Sequence, residues 1–516
     1  MTSEPYNIGA LLEQRVAGTP DSAFLLSEPD GRQFTYAEFA AAVDRAATML
    51  ANRSITKGDV VSLLMPNSPE YIIGYFACWK LGALAGPVNS LLKEHEIEFV
   101  MNNSEAKAIL VHSEFQGRVE NLRSQLPHLQ SIITFDDCQK PDRNGGQVME
   151  EALPNGRASD TIGPSDDAII IYTSGTTGKP KGCLLTHGNI IANARQISEW
   201  LNFTESDRLL TIMPLFHMNA VSVTTMSALY AGGSTVASPR FSASKFWNII
   251  SDYRITSFGS VATMLSMLLN TYPDGVPEGL KTDQLRFAMC GSAPVPAEVM
   301  KKFEQTFNCP VIEGYGLSES TCRSTFNPPT EDRRPGSCGL PIGNEMKVVD
   351  DDDKEVAEGE LGEIVLRGDN ILKGYFKNPE ATERAFRHGW FHTGDIGYRD
   401  QDGYFFIVDR KSDMIIRSGE NIYPREIDEV LYQHPAVAAA ATIGVPDQLY
   451  GEEVAAFIVL KDGMKASEED LIAHCQSELA DYKCPKSIRI VKDIPKGPTG
   501  KLLKRELAGL YSKLSK

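Results

Sequence analysis

The chain has 516 residues, of which 42% are hydrophobic, 23% charged and 8% aromatic, and its formal net charge is −17. The length asks for more than one hydrophobic core, and the composition is that of a globular protein rather than a disordered or fibrous one. The acidic balance argues against nucleic acid and anionic membranes as main partners, but not against small anions, whose local site can invert the field.

The start, Met1-Thr2-Ser3-Glu4-Pro5, lacks the basic and apolar stretches of a signal peptide. No window approaches the roughly 18 apolar residues of a membrane span. The nine cysteines are scattered, odd in number and without C-x-x-C spacing. They read as buried thiols of a reducing compartment, and a cytoplasmic location is expected.

In chain order, Thr35-Tyr36-Ala37-Glu38 has the spacing of a capping box, in which hydroxyl and carboxylate each satisfy a free backbone N–H. Phe39, Val43, Ala46 and Leu50 follow at helical spacing. Residues 60–65 predict a buried strand, closed by Pro66-Asn67-Ser68-Pro69, and a second helix runs to about Leu81. Residues 107–111 and 167–172 predict further strands. Such alternation predicts α/β layers with largely parallel sheets. From about Met346 the pattern changes. Residues 348–363 predict a hairpin with Asp350-Asp351-Asp352-Asp353 at its tip, an acidic run that reads as a solvated turn rather than a metal site. Strand-like pieces continue to Val408. Beyond them, amphipathic helices are expected at 426–434 and 468–479, with a strand at 454–460. The expected architecture is a large α/β domain, 1–409, with a β-rich portion, followed by a small mobile α+β domain, 410–516.

The string Tyr172-Thr173-Ser174-Gly175-Thr176-Thr177-Gly178-Lys179-Pro180-Lys181-Gly182 directly follows an expected strand. Glycines let backbone N–H groups turn toward phosphate oxygens, hydroxyls add donors, and the lysines supply charge. It is not the P-loop NTPase pattern, because no Ser or Thr follows Lys179.

This segment resembles the signature of the adenylate-forming superfamily: acyl-CoA synthetases, firefly-type luciferases and peptide-synthetase adenylation domains. Further motifs follow in the family's order along nearly the whole chain. Met213-Pro214-Leu215-Phe216-His217 resembles the motif whose aromatic or His side chain walls the acyl pocket. Gly291-Ser292-Ala293-Pro294 and Glu313-Gly314-Tyr315-Gly316-Leu317-Ser318-Glu319-Ser320 resemble the adenine and metal segments, with Ser318 where many relatives have Thr. Trp390-Phe391-His392-Thr393-Gly394-Asp395 resembles the ribose motif, and Asp409-Arg410 its partner at the domain junction. Ser418-Gly419-Glu420-Asn421-Ile422-Tyr423-Pro424 resembles the pantetheine-tunnel loop of CoA-using members. Pro498-Thr499-Gly500-Lys501 resembles the loop of the catalytic lysine.

The resemblance implies an AMP-forming acyl-CoA synthetase with ATP, Mg²⁺ and coenzyme A. Lys501, Glu319, Thr176 and His217 would serve catalysis, with Glu319 and Thr176 as metal ligands. ATP and AMP would be held by Thr173, Ser174, Gly175, Thr176, Thr177, Gly178, Lys179, Ser292, Ala293, Pro294, Glu313, Gly314, Tyr315, Gly316, Leu317, Ser318, Asp395, Ile407, Arg410 and Lys501. In this reading Tyr315 stacks on the purine and Asp395 accepts from the ribose hydroxyls. Coenzyme A would meet Ser418, Gly419 and Glu420, and the hinge position falls on Ser412, where many relatives have Asp or Lys. The acyl pocket would draw on His217, Met218, Val221, Val261, Met264, Cys322 and Arg323.

The soft, apolar members of that set favour a fatty or other apolar acid. Arg323 is read first as a solvated cation, with pairing to a second carboxylate as the alternative. Arg240-Phe241-Ser242-Ala243 and Asn327-Pro328 resemble segments of oxalyl-CoA-synthetase-type relatives, so an oxalate or dicarboxylate ligase is the second reading. A carrier-protein loader would want an acidic residue in the pocket, and residues 216–220 offer none. A nucleotide-binding sensor without catalysis should have lost Glu319, Asp395, Arg410 or Lys501, and all four are present. The partners expected are small molecules only, with no nucleic acid and no membrane, in a monomer or homodimer.

Overall fold

A computed structural model of the chain describes residues 5–135, 162–173, 180–292, 295–418, 420–495 and 504–514. Thr35 caps the helix Tyr36–Ala51 through the expected box: its hydroxyl accepts from Glu38 N–H at 3.2 Å, and the Glu38 carboxylate accepts from Thr35 N–H at 2.8 Å. The next helix, Pro69–Leu81, starts on a Ser68 cap with Pro at its first turn and ends on Gly82 at φ 70°. Nearly all of it is buried, as befits a helix that is apolar all round.

These helices lie between sheets. One seven-stranded sheet has the order Val311–Glu313, Phe287–Cys290, Ser257–Ser260, Arg208–Thr211, Ser234–Ala237, Ala23–Ser27, Gln33–Thr35. All its pairs are parallel except the last. The other has the order Gly374–Tyr375, Lys181–Thr186, Asp167–Thr173, Leu84–Pro87, Val60–Leu64, Ala108–Val111, Ser131–Thr134. Val60–Leu64 is buried on both faces: Val61 and Leu63 enter the main core, and Val60 and Leu64 a second cluster. Both faces being covered accounts for its unbroken apolar run. The expectation of largely parallel sheets holds except at one edge of each; in this second sheet Gly374–Tyr375, Lys181–Thr186 and Asp167–Thr173 pair antiparallel, Thr173 opposite Lys181.

The β-rich portion is a five-stranded antiparallel sheet built on Glu345–Val349, Gly362–Arg367, Phe386–Arg387, Trp390–Arg399 and Phe405–Arg410. The acidic run forms its turn. Asp351 and Asp352 are exposed, whereas Asp353 faces Arg387, His388 and His392. Among the described residues no cluster of three His, Cys, Asp or Glu is arranged to hold a metal.

A small domain follows, with a sheet of Ile415–Arg417, Glu420–Ile422, Val437–Asp447, Gly451–Leu460 and Ser487–Ile490. The helices Pro424–Gln433, Glu468–Glu478 and Lys504–Leu514 flank it. Its cores, around Ile427, Leu431 and Leu471 and around Phe457 and Leu507, are separate from that of the large domain. Because Phe405–Arg410 closes a sheet of the large domain, residues 411–414 make the connection.

Candidate active site

Ligands of parallel α/β sheets bind beyond the carboxyl ends of the strands. Here Phe287–Cys290 runs into Gly291 and Ser292, and Val311–Glu313 runs into residues 314–320. Ser292 has φ 68°, a left-handed conformation rare without glycine. Glu313 is 5% exposed; its Oε1 accepts from Val295 N–H at 3.2 Å, and its Oε2 has no partner. Burial pushes this carboxyl up to about 7, with Arg425 opposing the shift.

The expected nucleotide residues of distant segments meet around Asp395. The Tyr315 hydroxyl donates to Asp395 Oδ2 at 2.5 Å, and Arg410 Nε lies 3.3 Å from Oδ1. Strand pairing sets this contact, since Asp395 and Arg410 are register partners. A carboxylate has about four lone-pair positions, which suits a residue that meets donors from more than one side. Ile407 is half-buried on the same strand.

Glu319 is held by a residue outside every motif. Tyr375 donates its hydroxyl to Glu319 Oε1 at 3.1 Å. Tyr375 pairs with Cys183, and Lys181 Nζ stands 5.3 Å over its ring. Leu372 N–H bonds the Glu319 carbonyl at 2.7 Å. Glu319 thus sits beside Lys181, whose strand partner is Thr173. A single carboxylate near the expected phosphate segment would suit Mg²⁺, which commonly takes one or two carboxylates plus substrate phosphates. Ser174, Gly175, Thr176, Thr177, Gly178, Lys179, Ala293, Pro294, Gly419 and Lys501 lie outside the described residues.

The expected acyl-pocket residues gather over the same strand ends. Met218, Val221, Val261, Met264 and Cys322 are buried. The segment Asn219–Met226 is a π-helix, in which Ser227 N–H reaches back five residues to Ser222 O. Such turns are rare and concentrate at functional sites; no spacing in the sequence signalled this one. His217 Nε2 is buried without a partner, and desolvation pulls the ring down to about 4, so the imidazole is neutral at physiological pH. Arg323 corrects the sequence reading. It is not solvated but 1% exposed, because Thr321 at φ 62° and Cys322 at φ 148° turn the chain inward. Residues in such regions persist when their surroundings over-determine them. Here Thr321 Oγ1 donates to Asn370 O at 2.6 Å, and Asn370 Nδ2 donates to Ser320 O and Arg323 O at 3.2 and 3.1 Å.

Ser418 and Glu420 make their bonds within the small domain, Ser418 N–H to Tyr450 O at 3.0 Å and Glu420 in register with Arg417. Ser412 donates to Asp413 Oδ1 at 3.1 Å. The two domains meet at Asp409, whose Oδ2 accepts from Arg425 N–H at 3.0 Å and lies 3.9 Å from Lys504 Nζ.

Residues 12–376 match the family model described as AMP-binding enzyme, and residues 426–501 match the AMP-binding enzyme C-terminal domain. The chain is 37% identical over 506 residues to a sulfoacetate–CoA ligase of Cupriavidus necator, with 97% of each chain covered. It is 36% identical over 513 residues to a long-chain-fatty-acid–CoA ligase of Mycobacterium tuberculosis, covering 98% of this chain and 99% of that one. MatB from Rhodopseudomonas palustris is 28% identical over 98% of this chain and 99% of its own. Its ATP-bound structure matches with a TM-score of 0.87 and its apo structure with 0.75.

Proposed function

Because the chain belongs to the AMP-binding enzyme family and is an AMP-forming acid–CoA ligase that uses ATP and coenzyme A, we propose that the residues meeting around Asp395 and Glu319 form its adenylation site. A carboxylate is a poor acyl donor, since its leaving group would be oxide. Its attack on the α-phosphorus of ATP gives a mixed anhydride and pyrophosphate, and the CoA thiol then displaces AMP. The obstacle in the first step is the approach of an anion to a polyanion, and neutralising charge where it develops is worth roughly 3–4 kcal/mol per well-placed group.

In this reading Asp395 takes the ribose hydroxyls while Tyr315 and Arg410 fix its orientation. The neutral, partly buried His217 bounds the acyl side without adding a charge. Lys501 and the segment around Lys179 supply positive charge to the phosphates. Glu319 would hold Mg²⁺ together with Thr176, and the ion would offset phosphate charge. Tyr375 keeps the Glu319 carboxylate in place through its 3.1 Å bond. The two bodies expected at 1–409 and 410–516, with Arg410 itself on the last strand of the large domain, would turn about the connection at Ser412, so that the Ser418–Glu420 loop replaces Lys501 for the second step. A cytoplasmic setting suits the described cysteines, all free and buried. No helix of the described residues is long and apolar enough to cross a membrane.

The observation that carries the assignment is the convergence of Tyr315, Asp395 and Arg410 from three separate segments. The experiment is ATP–pyrophosphate exchange over a panel of acids, followed by a CoA-thioester assay. Exchange and thioester formation are expected together. Exchange without thioester would point to a different acceptor, and no exchange with any acid would sink the reading.

A further inference from the structure

A guanidinium leaves water at high cost unless its charge and its N–H groups find partners inside. Of the three guanidinium nitrogens of Arg323, only Nη1 is bonded, to the carbonyl oxygen and the sulfur of Cys322 at 3.3 and 3.4 Å. Nε and Nη2 are buried with no hydrogen-bond partner. The Phe326 ring, 5.3 Å away, attracts the charge but offers no lone pair. No acidic side chain among the described residues pairs with this cation. The backbone is held in the opposite way. Arg323 N–H donates to Asn193 Oδ1 at 3.3 Å, and Arg323 O accepts from Asn193 Nδ2 at 2.7 Å and Asn370 Nδ2 at 3.1 Å. The residue is pinned, and one edge of its fork is left unbonded. That edge, Nε with Nη2, is the one that takes an oxyanion through two parallel N–H···O bonds.

The fork lies beside residues expected to wall the acyl pocket. A Cβ on Gly291 would stand 2.7 Å from Nη2, so the guanidinium rests on bare backbone just past Phe287–Cys290. Cys290 pairs with Ser260. One step on, Gly291 falls beside Val261, on the sheet face that also holds Gly259. On that face Asn219 Oδ1 lies 2.9 Å from the place of a Gly259 Cβ, and neither polar atom of this buried amide has a partner. His217 Nε2, two residues earlier in the chain, is also unpartnered. Strand spacing and rise put the two glycine positions roughly 8 Å apart, the reach of one oxyanion bonded from both sides. A wholly apolar acyl chain would leave every one of these groups unmet.

Resting on the ligase reading above, we infer that the acid activated here carries a second anionic group, a carboxylate or a sulfonate, held by the Nε–Nη2 edge of Arg323 with Asn219 beside it. The test compares malonate, succinate and sulfoacetate with propionate, butyrate and tert-butylacetate, in which an uncharged group replaces the second anion. The readout is kcat/KM in pyrophosphate exchange and in thioester formation. At least one dianion should exceed its uncharged counterpart by about 100-fold or more. Which dianions respond separates carboxylate from sulfonate. Arg323→Met should bring the preferred dianion down to the kcat/KM of its uncharged counterpart, and Arg323→Lys should keep part of the preference. The melting temperature of ligand-free Arg323→Met should not fall, since an unpaired buried charge has gone. If Arg323→Met does not fold, the wild-type preference and its weakening in Arg323→Lys decide. Uncharged acids used as well as their dianions, or a preference untouched in both variants, would overturn this inference and leave the ligase reading standing. No exchange with any acid would overturn both.

Discussion

Asp395 shows how much of the proposed nucleotide site hangs on one side chain. It accepts from Tyr315 and faces Arg410, so Asp395→Asn loses a charge-assisted partner on each side. Hydrogen bonds to charged groups are worth about 1.5–3 kcal/mol, so KM for ATP should rise roughly 10- to 100-fold in pyrophosphate exchange. Glu313 makes a pH-dependent prediction. Burial raises its carboxyl from 4.5 to about 7. The unfolded chain releases this proton near 4.5 and the folded chain holds it to about 7, so between those values the folded state binds more protons. Stability therefore falls as pH rises through that window. Glu313→Gln should melt like the wild type near pH 4 and be the more stable protein by about 3 kcal/mol above pH 7. A wild-type melting temperature flat across the window would remove the premise. Glu313, Asp395 and Arg410 could be picked out of the sequence because each stands in a motif. Tyr375 could not, since it reaches Glu319 only through strand pairing with Cys183. The burial of Arg323 was likewise hidden, because it depends on Asn193 and Asn370, which lie far away in the chain.

At the scale of elements, local chemistry was the readable part. The capping box, the helix to Leu81 and the strand Val60–Leu64 follow from neighbouring residues, and so does the change of style after Met346. Thr35→Ala should cost about 1 kcal/mol, seen as a melting shift on the order of 1–2 °C with activity retained. What the sequence hid are turns whose shape answers to contacts from elsewhere, such as the π-helix Asn219–Met226 and the segment after Gly316. A Cβ on Gly316 would overlap Cys322 O and stand 2.8 Å from Arg323 Cα. Gly316→Ala must therefore push apart the segments bearing Glu319 and Arg323. Exchange activity should drop about 100-fold or more, since small misplacements of reacting groups are that costly. Circular dichroism should stay near wild type. Retained activity would mean that this turn can yield.

For the whole molecule, the separate cores of the two domains allow one to turn against the other without unpacking either. Lys501→Ala should abolish pyrophosphate exchange yet spare thioester formation from a pre-made acyl-adenylate, and equal loss in both half-reactions would count against the alternation proposed above. The small domain packs on the large one through side chains at the end of the strand Phe405–Arg410. In that arrangement Asp409, on the last strand of the large domain, is bonded by Arg425 and faced by Lys504, both from the small domain. A rotation about Ser412 would have to break both contacts and remake them in every cycle. Asp409 is then a latch, and its ionic half weakens as mobile ions screen it. Such a latch would couple turnover to the ionic strength of the surroundings: added salt would shorten the dwell in the arrangement that Asp409 holds, and Asp409→Asn would take that dependence away.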